Sequence, residues 1–199
     1  GLHIVDDVLY VSSNGDEYPG IVGINLSNAE IVFYCHIPEK ELLNDITSDL
    51  DGNLYITDCD ANKVFKVSID NETYTTFVDS GVGYPNGILY DVPNDRLLVL
   101  NCLLPNRPLI SISMDGSTIT TLAETNLNSI DGLTSDDHGN FYFSSWSTDE
   151  IYRYDPNFTN PPEVISSGYT DPADIFFNKI DGVIAIPNFS SNVVEYFQI

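Results

Sequence analysis

Five polar residues recur along the chain, each at the head of a short apolar stretch: His3, Asn44, Asn86, Asp131 and Asp174. Asn and Asp supply the oxygen ligands that hard cations such as Ca²⁺ or Mg²⁺ prefer, and no Cys-x-x-Cys motif or His pair points to zinc. A carboxylate in such a set can also take a proton from water. For any one of these residues, capping of a turn is the stronger interpretation. The matched spacing of all five favours one shared site.

The element that positions these residues is a repeat. The stretches "NDITSDLDGNLYITDCDANKVFKV" from Asn44 and "DGLTSDDHGNFYFSSWSTDEIYRY" from Asp131 share one plan, and weaker copies begin at His3, Asn86 and Asp174. A period in the low forties with several short strands per unit is typical of a β-propeller of four-stranded blades. A β-sandwich or a solenoid is less favoured, because neither needs the same polar residue at the head of every unit. We therefore predict an all-β fold, a single β-propeller domain over residues 1–199 with about five blades.

The innermost strands of a propeller surround a central channel, so the five leading residues are expected to meet at one mouth. The second strand of each unit returns toward that mouth, and its end predicts a second ring of ligand contacts: Asp58, Asn101, Trp146 and Asn188. Cys59 and Cys102 hold matching places on neighbouring units. A disulfide between them and two free thiols are both open, with free thiols favoured because neighbouring blades diverge outward.

A fourth strand is legible in the first four units, whereas the last unit ends after three strands. An open edge is an aggregation hazard, and propellers usually close by pairing strands from the two chain ends. The N-terminus leads directly into its own innermost strand and has none to donate. The ring therefore either has five blades with an open seam or lacks an N-terminal blade, supplied by a further segment or a second chain. The open edge favours the second alternative, in which an N-terminal blade is missing.

The amino-acid composition limits the classes of binding partner that we expect. Seven Lys and Arg against 30 Asp and Glu give a formal net charge of −23, which argues against binding nucleic acid or anionic membrane and favours cations. The sequence contains no apolar run of about 18 residues that would predict a membrane span. Four Asn-x-Ser/Thr sequons, at Asn25, Asn71, Asn157 and Asn188, favour an extracytoplasmic or secreted setting.

The stretches "LLNDITSDLDGNLYITD", "YPNGILYDVPNDRLLVLN" and "SIDGLTSDDHGNFYFSSW" resemble the Asn-Asp, Pro-Asn-Gly and Asp-Gly motifs of SMP-30/gluconolactonase-like propellers, which are related to NHL-repeat propellers. The resemblance implies a six-bladed ring, of which this chain supplies about five blades. It also implies a divalent cation, often Ca²⁺ and otherwise Mg²⁺ or Mn²⁺, held by Asn86 and Asp131. Asn44 falls at the place of a substrate-contacting or water-holding Asn, and we also expect it among the metal-binding residues. The family's Glu-x-Pro-like acidic ligand has no counterpart here.

The function that this resemblance implies is metal-dependent hydrolysis of a sugar lactone or related ester at the central channel. Asp131 is then the ligand that also serves as catalytic base, and Asp174 is an alternative base. The expected substrate contacts are His3, Asn44, Asp58, Asn101, Trp146 and Asn188, whereas Asp45 is expected to bond local backbone. The alternative is a non-catalytic, secreted NHL-like propeller that binds a protein, peptide or glycan through the same mouth.

Overall fold

The structure, a computed structural model, describes all residues from 1 to 199 and consists of five antiparallel sheets arranged in a ring as the blades of a β-propeller. Four blades have four strands in sequential order, and the last has three. Blade 1 contains β1 (Leu2–Val5), β2 (Val8–Ser13), β3 (Gly20–Asn25) and β4 (Ile31–His36). Blade 2 contains β5 (Leu43–Ser48), β6 (Asn53–Asp58), β7 (Lys63–Ser68) and β8 (Thr73–Val78).

The remaining blades follow the same plan. Blade 3 contains β9 (Pro85–Asp91), β10 (Arg96–Asn101), β11 (Pro108–Ser113) and β12 (Ile119–Glu124). Blade 4 contains β13 (Ile130–Ser135), β14 (Phe141–Ser145), β15 (Glu150–Tyr154) and β16 (Glu163–Ser167). Blade 5 contains β17 (Phe176–Asn178), β18 (Val183–Asn188) and β19 (Val193–Gln198). The helical structure is limited to two 3₁₀ turns, Val92–Asn94 and Phe189–Ser191, and neither is long or apolar enough to cross a membrane. The predicted repeat and the three-stranded last unit are confirmed.

In each of two hairpins of the repeat, one buried or nearly buried carboxylate holds the turn through hydrogen bonds. Asp136 accepts hydrogen bonds from the backbone N–H groups of His138 and Asn140, at 2.9 and 2.8 Å, and from the Tyr142 hydroxyl at 2.8 Å. Asp49 makes the same set of bonds in blade 2, including one from the Tyr55 hydroxyl at 3.0 Å. The Ser-Asp-x-x-Gly-Asn-x-Tyr pattern is therefore a turn device that sets the register of the first two strands.

The hydrophobic core lies between neighbouring blades. Each of four clusters joins two consecutive blades: for example, Phe33 of blade 1 packs with Leu54 and Phe65 of blade 2, and Phe143 of blade 4 belongs to the cluster that contains Leu98 of blade 3. Strands buried on both faces read as apolar runs, as in β10, where all residues after Arg96 are buried. This packing brings the innermost strands together around the channel.

Glycine allows two innermost strands to approach each other closely. A Cβ atom on Gly87 would lie 2.4 Å from the Asp131 carbonyl oxygen, and a Cβ atom on Gly132 would lie 2.3 Å from the Ile175 backbone nitrogen. No other residue fits at either place without displacing a neighbouring blade. The glycine that follows each leading residue in the Asn-Gly and Asp-Gly motifs therefore sets how near the leading side chains can come.

The ring has an open seam between blades 5 and 1. No hydrogen bond joins these two blades, and apolar side chains on both sides are exposed: Leu2 by 61% and Ile4 by 56% on β1, and Phe176 by 67% and Tyr196 by 72% on blade 5. Ile4 belongs to a cross-strand row that continues through Leu9, Ile24 and Ile31. An aliphatic row of this kind forms the core face of the other blades, so each seam face has the composition of a blade interface.

Candidate active site at the mouth of the channel

Three of the leading residues and Trp146 line one cavity of about 500 Å³ at the mouth of the channel. The cavity is lined by Asn44, Tyr84, Asn86, Cys102, Leu103, Arg107, Asn128, Ser129, Ile130, Asp131 and Trp146. Asn44, Asn86 and Asp131 come from the starts of β5, β9 and β13, on three consecutive blades. The repeat therefore brings polar groups that are far apart in sequence into one pocket.

A chain of hydrogen bonds links these side chains. Asn44 Nδ2 donates to Asn86 Oδ1 at 2.5 Å, and Asn86 Nδ2 donates to the Ile130 carbonyl oxygen at 3.0 Å. Trp146 Nε1 donates to Asp131 Oδ2 at 2.7 Å. Because both amide nitrogens are used as donors, the orientation of each carboxamide is fixed, and the Asn44 Oδ1 atom is left without a protein partner.

Burial gives Asp131 the proton affinity of a general base. Burial and the nearby Asp174 carboxylate raise the pKa of Asp131 to about 6, although the hydrogen bonds from Trp146 and Asn86 oppose the rise. A base works best when its pKa lies near the operating pH, so Asp131 is suited to accept a proton from water close to neutrality. Nothing else that lines this cavity carries a carboxylate.

Asp45, which directly follows Asn44, is structural. Its Oδ1 atom accepts the Ile46 N–H at 2.7 Å, and its Oδ2 atom accepts the Ile88 N–H of the next blade at 2.8 Å. The carboxylate occupies the repeat position that Gly87 and Gly132 hold in blades 3 and 4, and it bridges blades 2 and 3. The expected backbone bonding of Asp45 is thus observed, across two blades as well as locally.

Asp174 does not line the cavity. Its charge instead acts on Asp45 and Asp131, whose pKa values are raised first by burial and next by this neighbouring carboxylate. Burial also raises the pKa of Asp174 itself. The Asp174 carboxylate therefore disfavours the charged forms of both Asp45 and Asp131, and a cation in the channel would relieve this repulsion.

His3 is also absent from the cavity, because the leading position of blade 1 precedes it. The backbone N–H groups of Asp45 and Gly132 donate to Thr57 and Ser144, and the N-terminal nitrogen of Gly1 donates to Ser12 in the matching place. Gly1, not His3, is thus the counterpart of Asp45 and Gly132. His3 lies two residues further along β1, where Nε2 is 2.9 Å from the Ser48 hydroxyl of blade 2.

The expected contacts at the ends of the second strands hold loops in place instead. Asp58 accepts the N–H groups of Glu41 and Leu42 at 2.8 and 2.9 Å. Asn101 Oδ1 accepts the Leu104 N–H at 2.8 Å, and Asn188 Oδ1 accepts the Thr170 N–H at 2.7 Å. All three side chains are buried and none lines the cavity. They anchor the chain where it enters or leaves the mouth.

Cys102, which follows Asn101, lines the cavity, whereas Cys59, which follows Asp58, is buried and accepts a hydrogen bond from Asn44 Nδ2. Cys59 donates its thiol to the Pro85 carbonyl oxygen at 2.9 Å, and Cys102 donates to the Ile130 carbonyl oxygen at 3.1 Å. Both cysteines are free, and burial raises the pKa of Cys59 to about 12 and that of Cys102 to about 11. They act as neutral hydrogen-bond donors, so the free-thiol alternative is the one observed.

Phe189 is a mouth residue that the sequence analysis missed. Its ring stacks on Trp146 with a centroid distance of 5.1 Å, and its side chain is 66% exposed. Phe189 follows Asp174 by fifteen positions, the spacing that separates Cys59 from Asn44 and Trp146 from Asp131, so this signal was present. Arg107, Asn128 and Ser129 also line the cavity, but they lie on loops that no repeat pattern marks.

The donor set fits a hard divalent cation. The Asn44 and Asn86 carboxamide oxygens and the Asp131 carboxylate are hard oxygen ligands, and Asn44 Oδ1 has no partner within the protein. The repulsion between Asp174 and Asp131 adds an electrostatic reason for a cation to bind there. Three such ligands would leave several positions of a Ca²⁺ or Mg²⁺ shell for water or substrate.

Fold and site together define a β-propeller with an oxygen-rich pocket at one mouth of its channel. The family model described as "SMP-30/Gluconolactonase/LRE-like region" matches residues 16–180, and the chain belongs to this family. No curated protein matches the sequence at a significant level.

Solved structures share the fold at low sequence identity. One is a chain of the nidogen/laminin complex, with a TM-score of 0.80 and 20% identity over 96% of this chain and 73% of that one. Another is XC5397 from Xanthomonas campestris, described as a gluconolactonase important in glucose secondary metabolism, with a TM-score of 0.71 and 16% identity. The match covers 91% of this chain and 65% of the gluconolactonase, so this chain corresponds to about two thirds of that protein.

Proposed function

We propose that this protein hydrolyses a sugar lactone or a related ester at the mouth of its channel, with a divalent cation bound by Asn44, Asn86 and Asp131. The observation that carries the proposal is the convergence of these three residues on one 500 Å³ cavity, in a chain of the SMP-30/gluconolactonase/LRE-like family. A lactone has the size and the polar carbonyl that such a cavity can accommodate.

Asp131, Trp146 and Phe189 have separate roles in the proposed reaction. Asp131, whose pKa is raised to about 6 by burial and by Asp174, accepts a proton from the attacking water. Trp146 orients that carboxylate through its indole N–H, and the Trp146–Phe189 pair offers an apolar wall for one face of a sugar ring. The bound cation supplies Lewis-acid polarisation of the lactone carbonyl and stabilisation of the developing negative charge.

Hydrolysis assays with and without a divalent cation test this proposal. Chelator-treated protein should lose turnover of aldonolactones and simple esters, and added Ca²⁺, Mg²⁺ or Mn²⁺ should restore it. Asp131→Ala should reduce kcat/KM by about a hundredfold or more, since general-base catalysis alone contributes roughly 10²–10⁴-fold. The control Asp137→Ala removes the same charge from an exposed hairpin turn and should leave kcat/KM unchanged.

Absence of cation-dependent turnover across a panel of lactones and esters would contradict the proposal. Binding of a protein, peptide or glycan at the same mouth would then be the function to pursue. Turnover that survives in Asp131→Ala at the wild-type rate would contradict the assignment of the base.

We also propose an extracytoplasmic setting, supported by sequons on the surface. Asn71 and Asn157 are exposed, whereas Asn188 is buried and cannot accept a glycan in the folded protein. Expression through a eukaryotic secretory pathway should give a glycosidase-sensitive mass shift that disappears in the Asn25→Gln/Asn71→Gln/Asn157→Gln variant. A secreted protein with no such shift would remove this support.

A further inference from the structure

One positively charged side chain faces the candidate active site. Arg107 is the only cationic residue that lines the cavity, and Asp131 is the only acidic one. The ion pairs of the protein involve Lys66, Arg96 and Arg153, and none involves Arg107. Of the three arginines in the chain, Arg96 and Arg153 each pair with a carboxylate, and Arg107 does not.

Local bonds fix the position of Arg107 but leave part of its guanidinium free. Nη1 donates to the carbonyl oxygens of Leu104 at 3.0 Å and Leu103 at 3.4 Å. The Arg107 carbonyl oxygen accepts the Thr125 hydroxyl at 2.6 Å, which ties the loop to the end of blade 3. No hydrogen bond uses Nε or Nη2, so these donors remain for a ligand in the cavity.

Arg107 is one of fourteen non-glycine residues with a left-handed backbone. Its φ angle is +50°, and that of Asn106 is +64°. Glycine or asparagine adopts the left-handed region at lower cost than arginine does.

We propose that Arg107 is a specificity-determining residue that binds an anionic group of the substrate, so that the preferred substrates are lactones or esters carrying a carboxylate or a phosphate. The part of this inference that concerns hydrolysis rests on the proposed function. The binding of an anion to Arg107 does not depend on it. The lactone carbonyl lies toward Asn44, Asn86 and Asp131, while the anionic group meets Arg107. Arginine suits both anions, because its planar fork donates two parallel hydrogen bonds.

Equilibrium binding separates this inference from the proposed hydrolysis. Trp146 lines the cavity and is the only tryptophan, so its fluorescence reports on occupancy. We would titrate the protein with three non-hydrolysable sugar acids or alcohols: a neutral alditol, an aldarate with two carboxylates, and a phosphorylated aldonate. Comparing the aldarate with the phosphorylated compound tells whether a carboxylate or a phosphate is preferred.

Arg107→Asn is the variant of choice, because asparagine tolerates the left-handed backbone and carries no charge. We expect it to weaken binding of the preferred anion by about ten- to a hundredfold, the range for loss of charge-assisted hydrogen bonds. Binding of the alditol should change by less than about threefold, and Arg107→Lys should give an intermediate loss of anion binding. Arg153→Gln removes the same charge from an exposed pair on blade 4 and should bind like the wild type.

Equal weakening of alditol and anion binding by Arg107→Asn would mean that Arg107 only holds its loop, and it would overturn the inference. Anion binding that does not depend on Arg107 would do the same. If anions bind through Arg107 but no lactone or ester is hydrolysed, the binding inference stands and the proposed function fails. If neutral and anionic lactones are hydrolysed with equal kcat/KM and equal sensitivity to Arg107→Asn, the proposed function stands and the inference fails.

Discussion

The proposed acid–base chemistry and the proposed cation binding both depend on Asp131. Burial and Asp174 raise its pKa to about 6, above the ordinary value of 3.8. The folded protein therefore holds a proton on Asp131 between about pH 4 and pH 6 that the unfolded chain has released. A raised carboxyl pKa stabilises the fold at low pH, and this contribution is lost as the pH rises through the folded-state value.

The first prediction concerns this pH window. In chelator-treated protein, Asp131→Asn should gain stability relative to the wild type as the pH rises from 4 to 7, by at most about 3 kcal/mol. Denaturant unfolding at a series of pH values measures the difference. Saturating Ca²⁺ should reverse the ranking at pH 7, because the cation stabilises only a protein that has its carboxylate. A difference between the two proteins that does not depend on pH would contradict the assignment of the raised pKa to this residue.

Element geometry explains which site residues the sequence could predict. Asn44, Asn86 and Asp131 were predictable because the repeat places the same strand start at the same mouth in each blade. The second ring was assigned one residue too early: Asp58, Asn101 and Asn188 end their strands with side chains turned toward the loops. Neighbouring residues of an extended chain point to opposite sides, and two of the residues that follow them do reach the mouth: Cys102 lines the cavity and Phe189 stacks on Trp146.

Some features lay beyond sequence reasoning for physical reasons. Arg107 lines the cavity through an irregular loop with two left-handed residues, and no periodic pattern encodes such a path. The repeat in blade 1 is weak, so the sequence places His3 at the leading position of its blade. The register of this blade follows only from the hydrogen bonds that backbone nitrogens donate to Ser12, Thr57 and Ser144. The fold itself follows from the strand pattern, because five copies of one plan leave few other arrangements.

The second prediction concerns the close approach of innermost strands. Gly132→Ala would place a Cβ atom 2.3 Å from the Ile175 backbone nitrogen and 2.6 Å from the Asp174 Cα atom. Because both neighbours are backbone atoms, blade 5 must shift, and we expect a loss of about 1–3 kcal/mol or more in the free energy of unfolding. Denaturant melts measure this loss, and cation affinity should fall with it because Asp131 is the adjacent residue.

Gly15→Ala is the matched control for the glycine prediction. Its added Cβ atom would meet only the Ser13 hydroxyl, at 3.9 Å, and no strained φ angle is involved. We expect a change within about 0.5 kcal/mol, as for other surface substitutions. Equal stability of the Gly132→Ala and Gly15→Ala proteins would show that the innermost strands are not packed as closely as described.

The whole molecule is an acidic propeller with one open seam. Leu2 and Ile4 on blade 1 and Phe176 and Tyr196 on blade 5 expose apolar surface where every other pair of consecutive blades has a core. We propose that the seam accommodates one further four-stranded blade with apolar faces, contributed by another segment or by a second chain. Blade 5 also presents the free edge of β19 in place of a fourth strand.

The third prediction follows from the seam. The 199-residue chain should self-associate at micromolar concentration, because exposed apolar faces and an open edge strand favour association. Phe176→Ser/Tyr196→Ser should lower the apparent mass in light scattering, while Leu50→Ser, which changes a residue that is 78% exposed in a hairpin turn, should not. A wild-type protein that remains monomeric and binds no hydrophobic dye would contradict this account of the seam.

The net charge of −23 also acts at the scale of the molecule, since an acidic surface raises the local concentration of cations around the mouth.

The measurement that tests the central claim most directly is a calorimetric Ca²⁺ titration of chelator-treated protein, with Asn86→Ala, Asp131→Ala and the control Asp137→Ala. We expect one saturable Ca²⁺ site. The first two substitutions should weaken its affinity for Ca²⁺ at least tenfold, and the control should leave it unchanged. Failure to bind Ca²⁺, Mg²⁺ or Mn²⁺, or binding that survives the loss of Asp131, would contradict the claim that this mouth is a metal site.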